Sequence, residues 1–248
     1  MDKYVQEIFR LAKELYPQKI TIMEVCGGHT NTIMKYAIRD ILPSNINLIS
    51  GPGCPVCVTD QADIDNIISL ARNNIPIATY GDMLHVPGTR STLAKEKEKG
   101  ADIKTVYSTS ELLDGKSKDR IFFAIGFETT TPMSAHLLKN NITIYSTHKT
   151  MIPAMRELLK QNRIDGFINP GHVSCIIGST PWQQLNVPQI ICGFERHQII
   201  RAICKLLALI REGKNEVIND YSEAVKPEGN LKAQELIRQT MKSSDASW

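Results

Sequence analysis

Three short stretches of this 248-residue chain concentrate the residue types that do redox and metal chemistry. They are Cys26-Gly27-Gly28-His29-Thr30, Gly51-Pro52-Gly53-Cys54-Pro55-Val56-Cys57 and Asn169-Pro170-Gly171-His172-Val173-Ser174. Cys54 and Cys57 form a C-x-x-C pair, a spacing at which two sulfurs close a small ring or grip one metal. Thr59 or Asp60 is placed to cap a following helix, whose partial positive charge favours thiolate over thiol. No second C-x-x-C occurs, so a four-cysteine zinc site cannot be built from such pairs. A Cys26/His29/Cys54/Cys57 zinc site stays open, because Cys-x-x-His supplies a thiolate and an imidazole. Redox pair, metal pair and structural turn therefore all stand as readings of Cys54/Cys57. Cys26, at a Gly-Gly turn, reads as a reactive or metal-binding thiolate. Cys175, Cys192 and Cys204 lie in apolar contexts and read as packing residues. Among the histidines, His172 and His148 (beside Lys149) are better site candidates than His85, His136 or His197.

The elements that must position these residues follow from hydrophobic spacing. Asp2 is a candidate cap for a first helix on which Val5, Ile8, Phe9, Ala12 and Leu15 share a face, with Pro17 as its stop. Short apolar runs then recur at Ile20–Val25, Asn47–Ile49, Ile75–Tyr80 and Ile103–Tyr107, with helical segments at about 32–40, 60–73 and 92–99. A second round of strands is expected at Arg120–Ile125, Thr143–Ser146, Gly166–Ile168 and Gln189–Ile191. Its helices are expected at 132–139, 153–162 and 195–212, with Gly213 as an end signal and a weaker helix at 231–241. Continuous apolar strands alternating with helices predict parallel sheets buried on both faces. The expected class is α/β: two consecutive three-layer domains with mainly parallel sheets facing a shared cleft. Residues 1–116 would form the first domain and 117–213 the second, with Asp114–Asp119 as linker and 214–248 as a C-terminal helical segment. In such sheets ligands bind at the carboxyl ends of strands. Gly27, Gly28, Asp82, Glu128, Thr129 and Thr130, all in Gly-rich segments after expected strands, are the candidate cofactor-lining positions.

Composition narrows the function classes. Lys and Arg number 29 against 26 Asp and Glu, a formal charge of +3. With no basic block interleaved with aromatics, nucleic-acid binding has little support. Lys95-Glu96-Lys97-Glu98-Lys99 alternates in sign and reads as a solvated helix end. No stretch reaches the roughly 18 apolar residues of a membrane span, and the charged N-terminus does not resemble a signal peptide. The expected address is the cytoplasm, where six cysteines point to redox or metal chemistry rather than a disulfide scaffold. No phosphate-binding G-x-x-x-x-G-K-[ST] or G-x-G-x-x-G and no G-x-S-x-G elbow is present.

Met23-Glu24-Val25-Cys26-Gly27-Gly28-His29-Thr30, then Gly51–Thr59, Thr79-Tyr80-Gly81-Asp82-Met83, Gly126-Phe127-Glu128-Thr129-Thr130, His148-Lys149 and Pro170-Gly171-His172-Val173-Ser174 run in order over nearly the whole chain. This series resembles the HypD family of NiFe-hydrogenase maturation factors. The resemblance implies a scaffold that works with a small HypC-type chaperone, on which iron receives two cyanides and one carbon monoxide. Cyanide would come from a thiocyanate on a HypE-type donor, and the Fe(CN)2CO unit would pass to the hydrogenase large subunit. It further implies that Cys26 is an iron ligand with His172 in the same metal site, that Cys54 and Cys57 form a redox relay, and that His29 and His172 are cleft histidines. Whether such a scaffold counts as an enzyme is left open. Two competing readings are a general thiol–disulfide oxidoreductase built on Cys54 and Cys57, and a zinc-stabilised binding module.

Two departures from the family pattern are visible. Asn31 stands where a second histidine belongs, and an amide does not titrate as imidazole does. Family members also continue into a third domain whose cysteines hold a 4Fe–4S cluster; those ligands are absent here, since no cysteine follows Cys204. The expectation is either a fragment or truncated form, which is the favoured reading, or a shortened homologue that receives its electrons from elsewhere.

Overall fold

Val5, Ile8, Leu11 and Ala12 are buried along one face of the first helix, α1 (Lys3–Leu15). The buried face is turned from the expected one: Leu11 lies inside and Phe9 outside. α1 belongs to a computed structural model that describes residues 3–115 and 117–245; the Asp2 cap and Ala246-Ser247-Trp248 lie outside the described residues. The chain forms two compact units, Met1–Cys54 with Thr150–Leu231, and Pro55–Lys149 with Lys232–Trp248.

The first unit is built on a five-stranded parallel sheet. Its strands are β1 (Ile20–Glu24), β2 (Ile46–Ser50), β7 (Gly166–Pro170), β8 (Gln189–Cys192) and β9 (Val217–Asn219), in the order β2-β1-β7-β8-β9. Every residue of β7 and β8 is buried, as a strand covered on both faces requires. One covering layer holds α1, α2 (Gly27–Lys35) and α8 (Arg196–Glu212), whose Ile199, Ile203 and Leu206 pack with Ile8, Ile22 and Ile190. α6 (Met151–Gln161) and α7 (Gly171–Ile177) complete the unit, and Gly213 ends α8 in the left-handed conformation.

The second unit carries β3 (Ile77–Tyr80), β4 (Ile103–Val106), β5 (Ile121–Ala124) and β6 (Ile144–Ser146), all parallel, in the order β4-β3-β5-β6. Alternation along β5 divides its core in two. Phe123 packs with Ile64, Ile67 and Ile68 of α3 (Gln61–Arg72) and Leu93 of α4 (Leu93–Glu98). Phe122 and Ala124 pack with Leu112 and with Leu137 of α5 (Thr131–Lys139). The last helix is α9 (Leu231–Thr240). Among the described residues no helix is long and apolar enough to cross a membrane.

The α/β class and the eight anticipated strands are observed, but the units are interleaved in sequence rather than consecutive as 1–116 and 117–213. The reason is the pairing of β1 with β7, in which Glu24 stands opposite Ile168. Asp114–Asp119 is not a linker: it lies inside the second unit, where Lys104 Nζ donates to the Glu111 carbonyl at 2.9 Å and to buried Ser117 Oγ at 3.2 Å. The helix placed at 32–40 begins earlier, at Gly27, and gives way to a separate turn at Ile38–Ile41.

Nor is the alternating lysine–glutamate run wholly solvated. Glu96 is 3% exposed, and its Oε1 accepts from Arg72 at 2.9 Å, Ser91 at 2.5 Å and Lys99 at 3.2 Å. The Arg72 hydrogen bond, then that of Ser91, holds its carboxyl down at about 2, against an ordinary 4.5. A depressed carboxyl adds stability that is complete above its unfolded value and is lost as pH falls toward the folded one. Thermal melts should therefore show the wild-type chain losing stability between about pH 4.5 and 2, with that share of the acid loss missing in Glu96→Gln. Parallel acid profiles for the two proteins would contradict the assignment.

Candidate functional site

In each sheet, successive crossovers leave a central strand pair in opposite directions. β1 connects onward to β2 on one side and β7 to β8 on the other; β3 connects to β4 and β5 to β6 in the same way. At such a switch point the loops diverge and leave a crevice at the strands' carboxyl ends. In the first unit the loops flanking it carry Cys26 and His172; in the second they carry Asp82 and Glu128–Thr130.

β1 ends on Glu24, a carboxylate with no exposure. A buried charge needs partners. Oε2 accepts from the Cys26 N–H at 3.0 Å and Oε1 from the Thr30 hydroxyl at 2.5 Å. These bonds fold the turn so that Cys26 takes an extended conformation (φ −150°, ψ 125°) as the N-cap residue of α2. Burial pushes the Cys26 thiol up, Glu24's charge adds to that, and N–H groups of His29 and Gly28 pull the other way. A thiol so held ionises when a cation arrives to compensate the charge.

The segment leading to Cys54 is brought to the same place by β2, whose Ser50 is in register with Glu24. Gly51 N–H donates to the Glu24 carbonyl at 2.7 Å and Gly27 N–H to the Gly53 carbonyl at 3.4 Å. The approach is so close that a methyl on Gly53 would lie 2.5 Å from both the Cα and the N of Cys26. Cys54 follows, half-buried, its Cα 3.9 Å from where a Gly27 methyl would stand; Cys57 is exposed. Thr59 does not cap the next helix. Its hydroxyl donates to the Pro55 carbonyl at 2.9 Å, while Asp60 caps α3 by accepting from Ala62 N–H at 2.7 Å.

His29 is fully buried. Its Nε2 stands 3.1 Å from the Gly193 carbonyl and 3.6 Å from Cys192 Sγ, and burial pushes its pKa down to about 4. It is thus a neutral interior imidazole, and the zinc set that needed it as a ligand is not assembled. Among the described residues no group of three or more His, Cys, Asp or Glu is arranged to hold a metal ion. His172 is exposed, and its ring lies 4.2 Å from that of Phe194, which lies 5.1 Å from His29. Asn31 is exposed on α2. Cys192 and Cys204 are buried, and Cys175 is half-buried with its thiol on the Ala224 carbonyl.

In the second unit, Asp82 and Thr129 are exposed, Glu128 and Thr130 half-buried. The Thr130 hydroxyl donates to the Ile125 carbonyl at 2.8 Å, which commits it to shaping its own loop. His148 Nε2 meets Ser134 Oγ at 2.8 Å, and burial lowers its pKa to about 4.

Residues 1–248 match the family model HypD, described as the hydrogenase formation hypA family. The chain belongs to the HypD family. It is 42% identical to a hydrogenase expression/formation protein of Methanocaldococcus jannaschii, over 99% of this chain and 73% of that protein. It is 41% identical to hydrogenase maturation factor HypD2 of Bradyrhizobium diazoefficiens, over 87% of this chain and 63% of the relative. With the Escherichia coli maturation factor HypD it shares 36% identity, over 92% of this chain and 66% of that one. The chain thus spans about two thirds to three quarters of the length of these HypD relatives.

Glu24 stands in the first motif with no role that its residue type announces, and Phe194 stands in none of the motifs. A carboxylate ending an otherwise apolar strand was the available signal for the first. Phe194 follows a strand and a glycine just as the recognised loops do, but lacks a polar group to draw notice.

Gly53→Ala should destabilise the chain by about 1–3 kcal/mol, the usual penalty of forced overpacking, while Gly27→Ala costs much less. The nearest contact of a Gly27 methyl is 3.7 Å, ordinary van der Waals distance. Denaturant titrations of both variants check this, and equal losses would count against the close approach.

Histidine ring NMR should show His29 and His148 staying neutral from pH 7 down to about 5. Because both folded values lie below the ordinary 6.5, their contribution is complete above that pH and declines as the medium is acidified toward 4.

Proposed function

We propose that this chain is a maturation scaffold for the metal centre of NiFe hydrogenases, on which an iron atom, the cargo, acquires cyanide and carbon monoxide. Cys26 and His172 are the proposed iron-binding side chains, and Cys54 with Cys57 the proposed electron relay. The single observation that supports this most is the seating of the Cys54 loop directly on the backbone of Cys26 at the switch point of the first sheet.

The chemistry suits the residues. Thiolate and imidazole ligands fit a redox-active iron better than carboxylates do. Two protein donors leave the remaining coordination positions to the diatomic ligands and to a partner. Freeing cyanide from a thiocyanate, R–S–C≡N, breaks the S–C bond and takes two electrons, giving R–S⁻ and CN⁻. Two cysteine thiolates supply those electrons as they join in a disulfide, so atoms and charge balance; an external dithiol or electron carrier then restores the pair. Gly27 and Gly28 are proposed to line the binding region of the first unit, and Asp82, Glu128, Thr129 and Thr130 are proposed as ligand-lining positions at the strand ends of the second. The proposed partners are a HypC-type chaperone and a HypE-type thiocyanate carrier, in the cytoplasm. The family's 4Fe–4S cluster has no proposed ligands within these residues. His29 is proposed to support the site from beneath rather than to react.

The chain purified with its HypC-type partner should show infrared bands of iron-bound cyanide and carbon monoxide. Cys26→Ala should abolish them, and Cys54→Ser or Cys57→Ser should block cyanide delivery. Bands that survive Cys26→Ala would refute the scaffold role assigned to that thiol. Turnover of a generic disulfide in iron-free protein would point instead to a thiol–disulfide oxidoreductase.

A further inference from the structure

We propose that Phe194 is a positioning residue: its ring, wedged between the imidazoles of His29 and His172, sets where His172 stands relative to the Cys26 thiol and covers the start of α2. The inference rests on the reading of Cys26 and His172 as iron-binding side chains. Four segments meet at this ring. His172 from the first turn of α7 lies 4.2 Å away with its plane tilted 35°, and His29 of α2 lies 5.1 Å away, tilted 34°. Tyr221, just after β9, meets it edge-on at 6.3 Å and 87°. Phe194 itself is only half-buried and sits beyond the carboxyl end of β8, outside the apolar core of the unit. Aromatic faces at these separations attract in definite orientations, so the ring fixes an angle as well as filling space.

Its backbone is tied to the helix it covers. Thr32 Oγ1 donates to the Phe194 carbonyl at 2.8 Å, and His29 Nε2 meets the Gly193 carbonyl at 3.1 Å, so both peptide groups flanking the Phe194 Cα are anchored on α2. Gly28 makes the closeness possible. A methyl there would lie 2.9 Å from Phe194 Cδ1 and 3.7 Å from Cys26 Sγ, so ring and sulfur border the same point above the helix start. Moving the ring therefore moves His172 and uncovers the thiol together.

The test uses the full chain without metal. Cys26 alkylation by iodoacetamide is followed by peptide mass spectrometry, the His172 ring protons by NMR, and folding by thermal melts. Phe194→Ala should speed Cys26 alkylation several-fold and shift the His172 signals as the neighbouring ring current disappears. Phe194→Tyr, which keeps the ring, should preserve both. Gly28→Ala should displace the ring and change both readouts in the same direction. Adding Gly28→Ala to Phe194→Ala should then add little, because the two act through one contact. A folded Phe194→Ala with unchanged alkylation and unchanged His172 signals overturns the proposal. Should that variant not fold, the same null result in Gly28→Ala does so. Because both readouts are taken without iron, they can succeed even where the infrared bands survive Cys26→Ala, which separates failure of the positioning role from failure of the scaffold reading.

Discussion

Two peptide backbones can lie against each other only where a side chain is missing, and the first unit depends on one such place. β1 and β2 run parallel and end level, so their loops leave the sheet about one strand spacing, ~4.8 Å, apart. The loop after β2 then folds over the loop after β1, and Gly53 lets its main chain rest on Cys26. Glu24 fixes the other side of the same turn by gathering the Cys26 N–H and the Thr30 hydroxyl on one buried carboxylate. Between them these contacts determine where a sulfur stands, which no property of the sulfur itself could do.

The surroundings of that sulfur set two influences against each other. Burial and the Glu24 carboxylate both oppose ionisation of Cys26, while the first amides of α2 favour it. The balance favours the protonated thiol over the bare thiolate. His29, held neutral beneath, adds no competing charge.

Most of the architecture could be read from the residues because buried parallel strands are continuous apolar runs. Ile20–Glu24, Ile121–Ala124 and Gln189–Cys192 needed nothing beyond that pattern. Pairing could not be read the same way. That β1 has β7 as a neighbour depends on a contact across more than half the chain, and apolar runs carry no address. β9 was missed because Val217–Asn219 is short and only half-buried, and α7 because its Gly-Pro-rich start looks like a loop. In the site, sulfur and imidazole drew attention by type. Whether an imidazole faces solvent or the interior is decided by packing, and there His29 and His172 parted ways despite similar glycine-rich surroundings.

The interleaving of the units has a consequence for manufacture on the ribosome. All four strands of the second sheet lie between residues 77 and 146, so that sheet can close soon after its last strand emerges. β1 and β2 are made earlier but must wait for residues 166–170 before the vacant edge of β1 is covered. During that interval the nascent chain displays an apolar strand with unpaired amides, the kind of surface that recruits neighbouring chains. Vectorial synthesis thus lets the second sheet close first, with α9 joining its unit only at the end, and leaves the cysteine-bearing turn at the end of β1 waiting for its neighbour strand.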